Sequence, residues 1–218
     1  MKFRSVALLE NALTHRSYVN ESPGLDLPDN QRLEFLGDAI LDFLVGEWLF
    51  HRYPDAREGE LTSLRAHIVR TGGLAGFAQE IDLGQHLRLG KGEASSGGSE
   101  RPANLCAGFE ALVGAIYLDQ GMDAVRSWVY RFLEEHAREI DQRRKIKDAK
   151  SLLQEYTQGE LHVTPTYRIV RESGPDHAKL FTAQVVVGEK VWGEGTGNNK
   201  QDAEQAAAHN ALQGRDLL

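Results

Sequence analysis

The hydrophobic pattern changes once along the chain, near residue 140. Before it, apolar residues recur at helical spacing. "SVALLENALTHRSYV" (5–19) reads as one helix, and "NESPGLDLPDN" (20–30) as a loop rich in Pro, Gly and Asp. Asp29 or Asn30 can cap the next helix, which runs from about Gln31 to Tyr53, where Pro54 stops it. "EGELTSLRAHIVRTGGLAGFAQEI" (58–81) predicts two helices broken at Gly72-Gly73, and "LGKGEASSGGSERP" (89–102) a polar Gly/Ser loop. "NLCAGFEALVGAIYLDQG" is an apolar helix ending at Gly121, and "MDAVRSWVYRFLEEHAREI" (122–140) an amphipathic one.

After the change, "KSLLQEYTQGEL" predicts a helix. "PTYRIVRESG", "KLFTAQVVVGEK" and "VWGEGTGN" alternate apolar and polar residues between turn residues and predict three strands. "KQDAEQAAAHNALQG" closes the chain as an Ala-rich helix. The expected fold is an all-α domain over 1–142, a short basic linker over 143–148 and a small α-β-β-β-α (α+β) domain over 149–218.

Composition narrows the class. The chain has 218 residues, 41% hydrophobic and 26% charged, which is the balance of a globular protein. Its apolar runs are too short to span a bilayer, and the N-terminus lacks the pattern of a secretory signal. The single cysteine, Cys106, excludes an internal disulfide and fits a reducing cytoplasm. A net charge of −7 weighs against a nucleic-acid binder, so any such surface must be a local patch or a metal-bridged site.

The candidate chemistry lies in "NQRLEFLGDAIL" (30–41). Glu34 and Asp38 are one helical turn apart among Leu33, Phe35, Leu36, Ala39, Ile40 and Leu41. Such flanks predict burial on most sides, and buried carboxylates need cations. Arg32 and Arg65 are available as ion-pair partners; a hard cation such as Mg²⁺ is the other candidate. Glu110 sits in a second apolar helix, among Phe109, Leu112 and Val113, and raises the same question. Glu58 and Glu60 open a third helix, where acids commonly only complement the helix dipole.

These residues carry a resemblance. "NQRLEFLGDAIL" resembles the most characteristic motif of the ribonuclease III family. "ALTHRSY" (12–18), "EGELTSLRAHIV" (58–69), "LGKGE" (89–93), "SGG" (96–98) and "FEALVGAIYLD" (109–119) follow in the family's order. The last 70 or so residues resemble a double-stranded RNA-binding domain. The resemblance implies a cytoplasmic homodimeric endonuclease that cuts double-stranded RNA, with Mg²⁺ as cofactor and Mn²⁺ able to substitute. It implies 5′-phosphate and 3′-hydroxyl ends and a role in rRNA and mRNA processing. Glu34, Asp38 and Glu110 match metal ligands, Asp38 and Glu110 also being the catalytic pair. Gln31 and Glu58 match supporting positions, and Phe35 matches a dimer contact. Gln154, Glu155, Pro175, His177, Asn199 and Lys200 match positions that bind RNA, with Asp176 beside His177 in the same loop.

The chain also departs from the family. Gln31 replaces a Glu. Ala107 replaces an Asp one turn before Glu110, removing a carboxylate from the metal site; Asp42, a turn beyond Asp38, is a candidate substitute or simply a solvated acid. Gln201 replaces a second lysine after Lys200. The chain starts almost directly at "ALTHRS", where family members usually carry a further helix. The alternative reading is a double-stranded RNA-binding member whose cleavage is weak or lost because of Ala107.

Overall fold

The computed structural model describes residues 2–22, 24, 27–175 and 179–217, without the side chains of 143 and 145–148. The chain forms two compact units, 1–136 and 137–218.

The first unit is helical: α1 (Val6–Ala12), α2 (Arg16–Asn20), α3 (Gln31–Arg52), α4 (Glu58–Val69), α5 (Thr71–Glu80), α6 (Lys91–Ser95), α7 (Pro102–Gln120) and α8 (Met122–Glu135). α3 and α7 form its centre. Asn30 occupies the N-cap position of α3 without a capping bond from its side chain, whose amide donates to the Ala12 carbonyl; the Oδ1 of Asp29 just before it accepts the Gln31 N–H at 3.1 Å. α7 starts on Pro102 and stops at Gly121, whose φ of 85° suits glycine. α3 buries Leu33, Gly37, Ile40, Leu41, Leu44, Val45, Trp48 and Leu49, and α7 is buried almost all round.

The two helices meet backbone to backbone. A Cβ built on Gly37 would stand 1.8 Å from the Glu110 carbonyl oxygen, and one on Gly114 would stand 2.4 Å from that of Leu33. Neither position has room for a side chain. Beside this crossing, Phe109 stacks on Trp128 with centroids 5.1 Å apart, and Phe77 and Phe132 complete an aromatic core.

Four local expectations are corrected. The stretch 5–19 is two helices, because Thr14 leaves the helix to bridge Arg88, with the His15 N–H on the Arg88 carbonyl at 3.0 Å. α1 therefore stands as a separate helix ahead of His15 and Arg16. The break between α4 and α5 falls at extended Arg70, not at Gly72-Gly73. Gly73 lies inside α5, where a Cβ would meet the Ile68 carbonyl at 2.2 Å; the turn is that tight. The Gly/Ser loop contains α6, whose first N–H groups are held by the Glu21 carboxylate (Lys91 at 2.7 Å, Gly92 at 3.3 Å). Finally, the helix expected over 122–140 breaks at His136.

The second unit begins with α9 (Ala137–Leu161), which contains the stretch 143–148 read from the sequence as a linker. Then come β1 (Thr166–Ser173), β2 (Leu180–Val187), β3 (Lys190–Gly197) and α10 (Lys200–Gln213). The sheet is antiparallel in the order β1-β2-β3, and α9 and α10 pack with it around Leu153, Ala183, Val185, Ala207 and Leu212. "GEGTG" explains the fit. Gly193, Gly195 and Gly197 share one strand face, and a Cβ on any of them would come within 2.4 Å of the α10 backbone at Ala203 or Ala207. The glycines of β3 and the alanines of α10 let a helix lie directly on a strand.

Gly37→Ala should destabilise the protein by roughly 2–3 kcal/mol through forced separation of α3 and α7. Gly46→Ala in the same helix, where the new methyl meets nothing nearer than Arg65 Cδ at 3.8 Å, should stabilise it by about 0.5–1 kcal/mol. Denaturant melts of both variants check the contrast.

Candidate active site

The crossing of α3 and α7 decides which side chains meet. Glu34 and Asp38 flank Gly37 on α3, and the Glu110 carbonyl packs onto that same glycine. The three carboxylates are thereby placed within each other's fields. Burial, with Asp38 and Glu34 adding to it, pushes the Glu110 carboxyl up to about 7 against the pull of a Cys106 hydrogen bond. Burial also raises Glu34, with Asp29 and Asp38 acting the same way and the Arg16 guanidinium against them. Two helices thus bring together acids that are unfavourable without a cation.

Among the described residues, no three His, Cys, Asp or Glu side chains stand close enough to ligate one ion. The donor set still fits a hard cation. It offers carboxylate oxygens only, it holds excess negative charge, and Mg²⁺ needs just one or two direct carboxylates beside its waters. What the set lacks is the acid at position 107. Ala107 lines a cavity of about 210 Å³ together with His15, Arg16, Asn30, Gln31 and Glu34.

Other expected residues fall in different places. Asp38 is exposed rather than buried, and so are Phe35, Ala39, Phe43 and Phe50. The apolar flanks of α3 therefore do not predict burial on most sides, because part of that apolar surface is left open to solvent. Phe35 is 80% exposed. Asp42 pairs with Arg65 at 3.7 Å and does not substitute for the missing acid. Glu58 is exposed at the start of α4, with Thr62 Oγ1 3.4 Å away, and is not among the charges acting on Glu34 or Glu110. Gln31 reaches the site as a wall of the cavity.

One participant is absent from the sequence reading. The Cys106 thiol donates to Glu110 Oε1 at 3.3 Å, and burial together with Glu110 keeps that thiol protonated. The signal was available, since Cys106 lies one helical turn before Glu110. Glu93 of "LGKGE" is a further participant that no periodicity marks. Its Oε1 accepts from Asn104 at 2.7 Å and pairs with Arg101, fastening α6 to the first turns of α7.

In the second unit, Gln154 and Glu155 are exposed on α9, and Pro175 is exposed after β1. Asp176 and His177 lie outside the described residues. Asn199 caps α10, its Oδ1 accepting the Asp202 N–H at 2.9 Å while its Nδ2 donates to Asp202 Oδ2 at 2.8 Å. Lys200 Nζ lies 3.6 Å from Glu172 Oε1 and above the Phe181 ring, so its charge is partly compensated within the domain.

Comparison with known proteins follows the same division. The family model described as Ribonuclease-III-like matches residues 5–136, and that of the double-stranded RNA binding motif matches 149–214. Ribonuclease 3 of Dehalococcoides mccartyi is 45% identical over 98% of this chain and 90% of its own length. Ribonuclease 3 of Oceanobacillus iheyensis is 48% identical over 97% and 92%. Among solved structures, the nuclease domain of ribonuclease III from Campylobacter jejuni, in a structure concerned with a region involved in its dimer formation, superposes with a TM-score of 0.57 at 38% identity. It covers 62% of this chain and 90% of that one.

The charge on Glu110 has a measurable consequence. Its carboxyl keeps a proton up to about pH 7 in the fold, against an ordinary value of 4.5. Between those values the folded chain binds more protons than the unfolded one. Glu110 therefore favours folding fully below about 4.5, and that contribution is lost as pH rises through 7. In chelator, wild type should lose thermal stability relative to Glu110→Gln between pH 5 and pH 8. Parallel melts of the two proteins at both pH values test this.

Proposed function

The chain belongs to the ribonuclease III family, and on that premise we propose that it cuts double-stranded RNA through a divalent cation held by Glu34, Asp38 and Glu110. The single observation that supports this most is that burial, with Asp38 and Glu34 of α3 adding to it, opposes the ionisation of Glu110 on α7 and pushes its carboxyl up to about 7. Among the described residues acting on Glu34 and Glu110, those that oppose these effects are Arg16, on Glu34, and Cys106, through its hydrogen bond to Glu110. When bound, a divalent ion would supply an acidic water and positive charge to offset that on the attacked phosphate, and the products would carry 5′-phosphate and 3′-hydroxyl ends. Mg²⁺ suits the all-oxygen donors, and Mn²⁺ can replace it.

The residues divide the work. Asp38, which acts on the Glu110 carboxyl through its charge, and Glu110 itself are the catalytic pair; Glu34 completes the set. Gln31 supports through hydrogen bonding where the family has a carboxylate. Glu58 has the weaker claim, because it stands apart from the other acids. The second unit holds the duplex by shape, through minor-groove contacts from Gln154, Glu155, Pro175 and His177 and phosphate contacts from Asn199 and Lys200. The cellular setting is cytoplasmic maturation of rRNA and mRNA. No helix among the described residues is long and apolar enough to cross a membrane.

Phe35 supports a homodimer. An aromatic side chain 80% exposed on a rigid helix, with Phe43 and Phe50 also open, is surface suited to a second copy. A second reading, that this member grips duplex RNA but cuts poorly, is favoured by Ala107 and by the lack of three converging ligands among the described residues.

A cleavage assay on a long RNA duplex with Mg²⁺ or Mn²⁺ decides between them. Wild type should cut, Glu110→Ala should not, and Ala107→Asp should cut about 10- to 100-fold faster. Binding by wild type without cutting, with cleavage appearing only in Ala107→Asp, would establish the second reading. In sedimentation, Phe35→Ala should weaken a wild-type dimer about 10- to 100-fold, the loss expected for one buried aromatic side chain; a monomeric wild type would refute the dimer.

A further inference from the structure

The cavity beside Ala107 has a composition that the metal site alone does not explain. One wall carries Glu34; another carries His15 and Arg16, at the start of α2. The tautomer of His15 is fixed. Its Nδ1 accepts the Ser17 N–H at 3.2 Å and lies 2.8 Å from Ser17 Oγ, which itself accepts the Gly90 N–H at 2.9 Å. With Nδ1 committed as an acceptor, the proton of the neutral ring is on Nε2. Burial lowers the His15 pKa and favours that neutral ring. The backbone is fixed as well, through the His15 N–H on the Arg88 carbonyl.

Arg16 is exposed, and its charge reaches both Glu34 and His15. The amide of Asn30 is committed to the Ala12 carbonyl, and Ala107 adds no charge. The cavity is thus lined by an imidazole whose N–H is on Nε2 and by a guanidinium, beside Glu34, the acid of the three that lines it. That combination suits an anion able to face both a cation and hydrogen-bond donors. A phosphodiester has non-bridging oxygens for each.

We propose that this cavity is a phosphodiester subsite in which Arg16 and His15 Nε2–H grip non-bridging oxygens of the RNA strand lying against Glu34, Asp38 and Glu110. His15 is then a catalytic residue that touches the reacting strand, and Ser17 is a positioning residue that fixes its ring. The inference rests on the reading of the chain as a duplex-RNA nuclease.

Two measurements on the full chain test it. The first is affinity for a short RNA duplex in Ca²⁺, with the RNA checked to be intact, as a function of salt. Arg16→Ala should weaken binding about 3- to 10-fold and flatten the plot of log affinity against log salt by roughly one unit, the signature of one lost phosphate contact. An unchanged slope overturns the role of Arg16. The second is single-turnover cleavage in Mg²⁺. His15→Ala should slow it about 10- to 100-fold, whereas His15→Gln, which returns an N–H near Nε2, should stay within roughly threefold of wild type. Equal loss in both, or none in His15→Ala, overturns the role of His15. Melting curves of each variant separate unfolding from lost contact. If wild type does not cleave, the nuclease reading fails, yet the salt slope still decides whether Arg16 holds a phosphate.

Discussion

The closeness of two helix backbones governs the first unit. α3 and α7 cross where Gly37 and Gly114 have no side chains, so the Glu110 carbonyl rests on one glycine and the Leu33 carbonyl on the other. Alanine at either position would push the helices apart. The same contact sets the electrostatics. Glu34 and Asp38 flank Gly37, and bringing Glu110 onto that glycine brings its carboxylate into theirs. The tight packing and the unfavourable charge share one cause, and the aromatic core around Phe109 and Trp128 holds the arrangement in place.

That arrangement is in tension within the protein alone. Asp38 and Glu34 add to the burial that opposes ionisation of Glu110, and the partial remedies are a thiol hydrogen bond from Cys106 to Glu110 and the Arg16 guanidinium near Glu34. The position where the family pattern carries a further acid has Ala107, which reduces repulsion and leaves open space instead. The cluster therefore has less negative charge than the family pattern would give.

Much of this is legible in the sequence. The α3 stretch shows its length, its stop at Pro54 and its acids, and the second unit shows its element order through alternation and turn residues. Less local features are hidden. Gly37 reads as an ordinary glycine in a helix, because its meaning depends on a residue more than 70 positions away. Phe35 and Ala39 read as buried from their apolar setting, because hydrophobicity alone does not say which apolar side chains of a helix the rest of its unit covers. The Thr14 bridge interrupts a good helical pattern through a pairing with Arg88 that no periodicity encodes. Lys200 reads as a free phosphate ligand, while its neighbour Glu172 is 28 positions away in sequence and 3.6 Å away in space.

The strand glycines have a mechanical consequence. Wherever side chains separate a helix from a sheet, the helix can roll or slide by repacking them. Between β3 and α10 that layer is missing, since Gly193, Gly195 and Gly197 bear on the helix backbone itself. α10 consequently has a fixed height above the strand. Its first turn, beginning at Asn199 and Lys200, is therefore held like the jaw of a caliper, at one set distance from the sheet.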